Sequence, residues 1–472
     1  MAGTFAPSCG LGAIVALFVL LVSCSDSPTE AGEDPPPAPP AAVKPTVSTA
    51  AVTGVTITTA TAGGEVTADG GAPVTARGVV WSVSPDPTVS DEHTTDGTGN
   101  GSFVSEIAGL SPEGTYYVRA YATNSAGTAY GDEVSFTTDE GTYAIIVLGQ
   151  VDGLDTRPQA LDEDCRIAGS YQWAGDRWVG FLWEPGTGFR SIDLAPLYSS
   201  FGFLAMNAGG MVAGIFEAHD IQRRRAFTWS ESDGVRFYDP PAGSDFVTTS
   251  AWGINNHGVV AGNSWVGGSG WGTAAATLWG PDGETVLLAG PGYAHAIAQA
   301  INDAGIVAGR MGNPPQPYQA VVWLAPDQEP VVLPGGAGSR ADAINNYGDV
   351  AGSTGLVAGW TGQQAVLWRD GQAIILEAPS GYDSARAEAL TEPDAHNVVH
   401  VLGSIGHGPS WRSVIWTVDG TDVQMEELYP PAGDSWAAVT AVTIHGDEVV
   451  VVGYSASGRA VLWTTSREVC GL

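Results

Sequence analysis

The sequence predicts an all-β chain in which a small antiparallel sandwich precedes a seven-bladed β-propeller closed by its own N-terminal strand. Three observations point there. From Pro45 onward, short runs of alternating polar and apolar residues are bounded by Gly, Asn and Pro, the pattern of antiparallel strands. From Tyr143 onward one phrase recurs, and each copy leads to a strand ending in tryptophan. These are Trp183, Trp229, Trp279, Trp323, Trp368, Trp416 and Trp463, spaced 44 to 50 residues apart, the step of one blade per repeat. Finally, the 472 residues include 64 Gly, 30 Pro and 16 Trp with 44% hydrophobics, a chain rich in turns that can still fill sizeable cores.

Residues 1-23 read as an export signal. Leu11 to Val22 is apolar throughout and has the length of a signal core, too short to span a bilayer comfortably. It ends in Leu21-Val22-Ser23-Cys24, which resembles the lipobox of bacterial lipoproteins. The resemblance implies that Cys24 is lipidated, and that the mature chain is held to the membrane by this anchor. With Ser25 beside it, the expected location is the cell envelope, at the outer membrane or cell surface. Residues 24-44 form the anchor and a linker containing Pro35-Pro36-Pro37-Ala38-Pro39-Pro40. Such a stretch cannot bury a core and favours an extended polyproline conformation.

Residues 45-138 form the sandwich. Ala76-Arg77-Gly78-Val79-Val80-Trp81 and Tyr116-Tyr117-Val118-Arg119-Ala120-Tyr121-Ala122 are its clearest strands. About ninety residues with roughly seven such runs suit two packed sheets. Gly109-Leu110-Ser111-Pro112-Glu113-Gly114-Thr115-Tyr116, with Asn124-Ser125-Ala126-Gly127 further on, resembles the fibronectin type III family. The resemblance implies that Tyr116 pins a corner through its hydroxyl and that Trp81 is a core residue, so both are structural.

Residues 143-472 hold the seven repeats. Their phrase is clearest in Ala300-Ile301-Asn302-Asp303-Ala304-Gly305-Ile306-Val307-Ala308-Gly309, and again in Ala343-Ile344-Asn345-Asn346-Tyr347-Gly348-Asp349-Val350-Ala351-Gly352. A strand runs into Asn-x-x-Gly, where Asn bonds along the backbone and Gly takes the left-handed conformation. Val-Ala-Gly starts the second strand with residues small enough for close sheet packing. Trp wedges the end of the third. Two repeats are degenerate, with Thr391 and Thr443 at the Asn position. The phrase resembles the HAF-type extracellular repeats of bacterial exported proteins, which implies a surface location and a propeller-like fold without an established chemistry. Tyr143-Ala144-Ile145-Ile146-Val147-Leu148 matches a fourth strand, while the chain ends after a third. The first strand must therefore complete the last blade, which leaves no open edge.

Charge excludes some functions. The net charge is −33, and Lys44 is the only lysine. Neither nucleic acid nor an anionic lipid surface suits such a chain. No nucleophile elbow, phosphate loop or His-Glu-x-x-His occurs. His396, His400 and His407 have no further ligand at metal spacing, so neither metal nor cofactor is expected. A monomer is expected.

The loops divide by face. Turns between strands one and two are terse, whereas the opposite face carries Trp173, Trp178, Trp265, Trp271, Tyr293, Tyr318, Trp360, Tyr382, Trp411 and Trp436. Aromatics around a concave mouth form the default binding site. The expected protein is thus a non-catalytic, lipid-anchored surface protein, not an enzyme, that binds a glycan or protein ligand through this face. The alternative is an extracellular enzyme acting on polysaccharide, with carboxylates such as Asp342 and Glu388 in the channel. Close, water-excluded carboxylates with raised pKa values would favour that alternative.

Two cysteines outside the signal and anchor remain. Cys165 occupies the first-to-second-strand turn of repeat one, where other repeats carry Gly, and Cys470 follows the third strand of repeat seven. Both fall on the terse-turn face. A Cys165–Cys470 disulfide clasping the closure is expected, because an exported chain meets oxidising conditions.

Overall fold

The computed structural model describes residues 40–173, 177–194, 200–217, 224–266, 272–290, 292–355, 362–407 and 410–471. Residues 1–39, which include the expected export signal and Cys24, and Trp271 and Trp360 lie outside these residues. The described chain is all-β apart from one short 3-10 turn at Val469–Gly471.

The N-terminal unit packs two antiparallel sheets. One holds Thr46–Thr49, Thr59–Ala68 and Gly101–Ala108. The other is built on Ala76–Ser82 and Thr115–Asn124, with Glu92–His93 at one edge. Gly127–Tyr130 and Val134–Thr137 both pair with Thr115–Asn124, so they form one edge strand interrupted midway. Between the sheets lie Val79, Phe103, Ile107, Leu110, Tyr116 and Val118. The Tyr116 hydroxyl accepts a hydrogen bond from the Ser111 amide at 2.9 Å, the corner expected from the sequence. Trp81 departs from expectation. It is only partly buried and packs on the margin of this core, because Val79 and Val118 fill the middle.

After the sandwich come seven four-stranded antiparallel units, the first six made of consecutive strands in order; a parallel bridge between Ala274 and His295 joins the third and fourth into one eight-stranded sheet. Their innermost strands are Thr156–Leu161, Ser200–Met206, Thr248–Ile254, His295–Ile301, Arg340–Ile344, Ser384–Leu390 and Ala437–His445. Each lies against the inner strand of the next sheet, and that of the seventh lies against that of the first. The seventh sheet borrows its outer strand: Ala144–Gly149 pairs with Ala460–Thr464, as the repeat phase required. The sandwich meets this assembly through Ala432, which packs on the sandwich core, and through a Glu113–Arg467 ion pair.

The repeat phrase has a fuller mechanical meaning than a turn. Asn302 Oδ1 accepts the Ile306 amide at 2.9 Å, which holds its own turn. Its Nδ2 donates to the Asn345 carbonyl of the next sheet at 3.0 Å. Asn207, Asn255 and Asn345 make the same forward bond, to Asn255, Asn302 and Thr391. In the first sheet Asp162 replaces Asn and cannot donate, and Arg166 Nη2 instead donates to the Ala208 carbonyl at 2.7 Å. At the seam of sheets seven and one, His445 Nδ1 lies 2.6 Å from the Glu163 carbonyl oxygen. The terminal tryptophans bond the other way. Trp279, Trp323, Trp368, Trp416 and Trp463 are almost fully buried, and each indole N–H donates to a carbonyl at the exit of the preceding sheet.

Cys165 and Cys470 are paired across the same seam, with Cα atoms 5.7 Å apart. Cys165 takes the left-handed conformation (φ 60°), the position that glycine fills in the turns at Gly210, Gly258, Gly305 and Gly348.

Candidate functional site

Every inner strand carries a bulge. The pairing with the second strand slips between Pro158 and Ala160, Phe203 and Ala205, Ala251 and Gly253, Ala298 and Ala300, Ala341 and Ala343, Ala387 and Ala389, and Val439 and Ala441. One residue per sheet is left over: Gln159, Leu204, Trp252, Gln299, Asp342, Glu388 and Thr440. A bulge re-aims a side chain and frees it from the ladder. The Gly of Val-Ala-Gly fits beside it. A Cβ at Gly309 would lie 2.0 Å from the Ile297 carbonyl oxygen, on the strand that bulges one residue later. Its smallness therefore serves contact within one sheet, not packing between sheets.

Two bulge positions in adjacent sheets hold carboxylates, and arginines gather around them. Arg340 Nε pairs with Asp342 Oδ2 at 2.8 Å, and the Asp342 side chain is only 12% exposed. Ser404 Oγ donates to Glu388 Oε1 at 3.3 Å. Burial raises both carboxyl pKa values; the Asp342 charge raises that of Glu388 further, while Arg340 and Arg310 oppose the rise at Asp342. Arg386 donates from Nε to Gln363 Oε1 at 2.8 Å. Its guanidinium lies over the Trp411 ring, 4.2 Å from the centroid. Arg310, on the second strand of the fourth sheet, lies over Tyr318 at 5.4 Å.

Between the sixth and seventh sheets Arg386 and Glu388 border a cavity of about 560 Å³, lined also by Ser404, Trp411, Arg412, Ser413 and Trp436 among others. A cavity of about 340 Å³ between the first and second sheets repeats its design. There Arg157 lies over Trp178 at 4.7 Å, with Gln159 in the place of Glu388 and Ser170 in that of Ser404. The repeat thus builds one kind of inter-sheet recess twice, with a carboxylate at the bulge position in one and an amide in the other.

The aromatic face is dispersed by this geometry. Trp411 and Trp436 line the larger cavity, and Trp436 is 45% exposed. Trp178 lines the smaller one. Trp265 and Tyr318 meet through His295, whose Nδ1 is 2.6 Å from the Tyr318 hydroxyl. Trp173, 48% exposed, contacts Tyr171 edge-on. Tyr293 is exposed, and Tyr382 packs on the sixth-sheet core. Of the imidazoles singled out above, His400 bonds Thr417 and His407 pairs with Asp383. Among the described residues no group of three or more His, Cys, Asp and Glu could hold a metal.

Sequence reasoning noticed Asp342 and Glu388 but not the arginines around them. The signal was available as small-x-small. Alanine flanks the odd residue in Ala298-Gln299-Ala300, Ala341-Asp342-Ala343 and Ala387-Glu388-Ala389. Arg157, Arg340 and Arg386 each stand two residues before that position.

No family model matches the sequence, and neither does any curated protein. Solved structures align over most of the chain at low identity. NanB sialidase from Streptococcus pneumoniae aligns at 8% identity over 84% of this chain and 93% of that one, with a TM-score of 0.34. A protein assigned as a gluconolactonase aligns at 12% identity over 68% and 91%, TM-score 0.32. The WD40 domain of SCAP from fission yeast aligns at 10% identity over 90% and 96%, TM-score 0.23. These neighbours are propeller-type folds, and at such scores they decide nothing about this chain's chemistry.

Proposed function

We propose that the chain is an exported, lipid-anchored surface protein of bacterial type, in which a fibronectin type III-like sandwich carries a closed seven-bladed propeller that binds a glycan. The larger inter-sheet cavity carries this reading. A sugar ring offers an apolar C–H face and a rim of hydroxyls. Trp411 and Trp436 supply rings for the face, while Glu388, Ser404, Ser413 and Arg386 supply directional polar groups for the rim. A recess of about 560 Å³ suits a sugar or two better than a broad protein patch, which needs a wide complementary face. The carboxylates are engaged, Asp342 by Arg340 and Glu388 by Ser404, which supports a binding role over a catalytic one.

The test is a glycan array probed with the purified full chain, followed by chromatography of any bound oligosaccharide. Binding that Trp411→Ala abolishes, with the oligosaccharide recovered intact, is expected. Metabolic labelling with a fatty-acid probe, lost in Cys24→Ala, tests the anchor.

One observation favours a second reading, an enzyme acting on polysaccharide. Asp342 and Glu388 occupy equivalent bulges on neighbouring inner strands, burial raises both carboxyls, and the Asp342 charge raises Glu388 further. Shortened products that disappear in both Asp342→Asn and Glu388→Gln would establish it and overturn the non-catalytic reading.

A further inference from the structure

The two inter-sheet recesses correspond position by position. Arg386 pairs with Ser404 across the sixth sheet, and Arg157 with Ser170 across the first. The bulge residue stands two places after each arginine. On the third strand, the tryptophan stands two places before the partner of that serine: Trp411 before Ser413, and Trp178 before Gly180. The fifth sheet has Arg340 and Ser353 in these positions but carries Gln363 in place of the tryptophan.

Both recesses lie at the end of the sheets that bears the longer loops, and a line of side chains joins them across the seventh sheet. Trp436, which lines the larger recess, meets Tyr454 edge-on at 6.0 Å. The Arg157 guanidinium lies 5.4 Å from the Tyr454 ring and 4.7 Å from that of Trp178, which lines the smaller recess with it. Arg157 Nη2 donates to Asp155 Oδ2 at 2.8 Å, so the guanidinium is held in place between the rings. Each step is close to the advance of one sugar along a glycan chain. Charges at the smaller recess are matched, Arg157 by Asp155 and Glu217 by Arg224. Gln159 and Ser170 add neutral polar groups there beside the apolar Phe201 and Leu204.

We propose that the two recesses are subsites for one polysaccharide chain, which runs from Trp411 and Trp436 over the seventh sheet to Trp178. The inference rests on the glycan-binding reading of the larger recess. A polysaccharide offers the same unit at regular intervals, so a second recess of the same build accepts a further unit of the same chain. That second contact is intramolecular and gains affinity through effective concentration. Rings and a guanidinium already held by their neighbours lose little freedom on binding.

The test is calorimetry on the full chain with trisaccharides and hexasaccharides of cellulose, mannan, xylan, chitin and polygalacturonate. For at least one of these, the hexasaccharide is expected to bind about 100-fold tighter than the trisaccharide. Trp178→Ala is expected to remove most of that gain. It should leave the trisaccharide, held in the larger recess, within about threefold of its native affinity, as for a distant and independent site. Gln159→Ala alters a bulge residue that makes no ladder bond, and so tests the smaller recess without removing a ring. It is expected to weaken the hexasaccharide about fivefold or more, the loss of one hydrogen bond. Equal binding of the two lengths, or a length dependence that survives both variants, overturns this inference and leaves glycan binding standing. Binding of neither length across the set overturns both.

Discussion

The forward bond of the repeat asparagines can be weighed by removing one. Asn302 is 3% exposed and makes two bonds with different tasks: Oδ1 holds Ile306 in its own turn, and Nδ2 ties the fourth sheet to the fifth. Asn302→Ala removes both and strands a buried amide and a buried carbonyl. At about 1 kcal/mol for each bond, plus the desolvation of the groups left behind, the loss should be about 2–4 kcal/mol. Asn302→Asp separates the two tasks, because a carboxylate can still accept from Ile306 but cannot donate to Asn345. It also places negative charge against a carbonyl oxygen, so it should lose at least 1.5 kcal/mol, about the value of a bond with its repulsion. Urea unfolding followed by tryptophan fluorescence measures both, since Trp323 sits fully buried in the same sheet. An aspartate variant as stable as the native chain would refute the claim that these asparagines join neighbouring sheets.

Other outcomes follow from the same geometry. Reducing Cys165–Cys470, or replacing both by Ser, should cost about 2–4 kcal/mol, with roughly 6 as the chain-entropy ceiling for a 305-residue separation; melting curves with and without reductant that coincide would remove the seam from the account of stability. Gly309→Ala should cost about 3 kcal/mol or more, because its Cβ would meet a backbone carbonyl that cannot rotate away; its melting temperature is the measure. Glu388 responds to pH with a defined sign. Burial raises its pKa, then the Asp342 charge raises it further, so the folded chain binds that proton more readily than the unfolded one. The stability it contributes is complete below the ordinary carboxylate range and fades as pH rises through the raised value. Glu388→Gln should therefore match the native chain at about pH 4 and exceed it at about pH 7.5, by thermal denaturation at each pH.

Much of the architecture was legible because the repeat is written in residues whose conformations are restricted. Gly at a left-handed turn, Trp at a sheet end and Asn before the turn each leave few alternatives, and their phase located both the closing strand and the disulfide. The bulges were not legible in that way. A period-two reading of Ala-x-Ala expects a regular strand, and only pairing with a partner reveals a slipped register. The proposed binding face was legible only as a set of aromatic residues. Aromatic loop residues can be counted in a sequence, but the convergence of Arg310, Arg340 and Arg386 depends on three sheets meeting at one depth. Trp81 shows the opposite error, where a matching residue type sat at the margin of a core that smaller residues had filled.

The bulge has a consequence for how such a chain can change. In each sheet the left-over residue makes none of the ladder's bonds, and its neighbours are mostly small. The seven occupants are Gln159, Leu204, Trp252, Gln299, Asp342, Glu388 and Thr440, six residue types at seven sites. The bonds that hold the scaffold and the seven left-over sites are thereby assigned to different residues. Substitution at one of these seven sites alters what the centre presents and leaves the asparagine and tryptophan bonds intact, so, on the proposed binding role, descendants of one repeat can diverge in ligand without first diverging in shape.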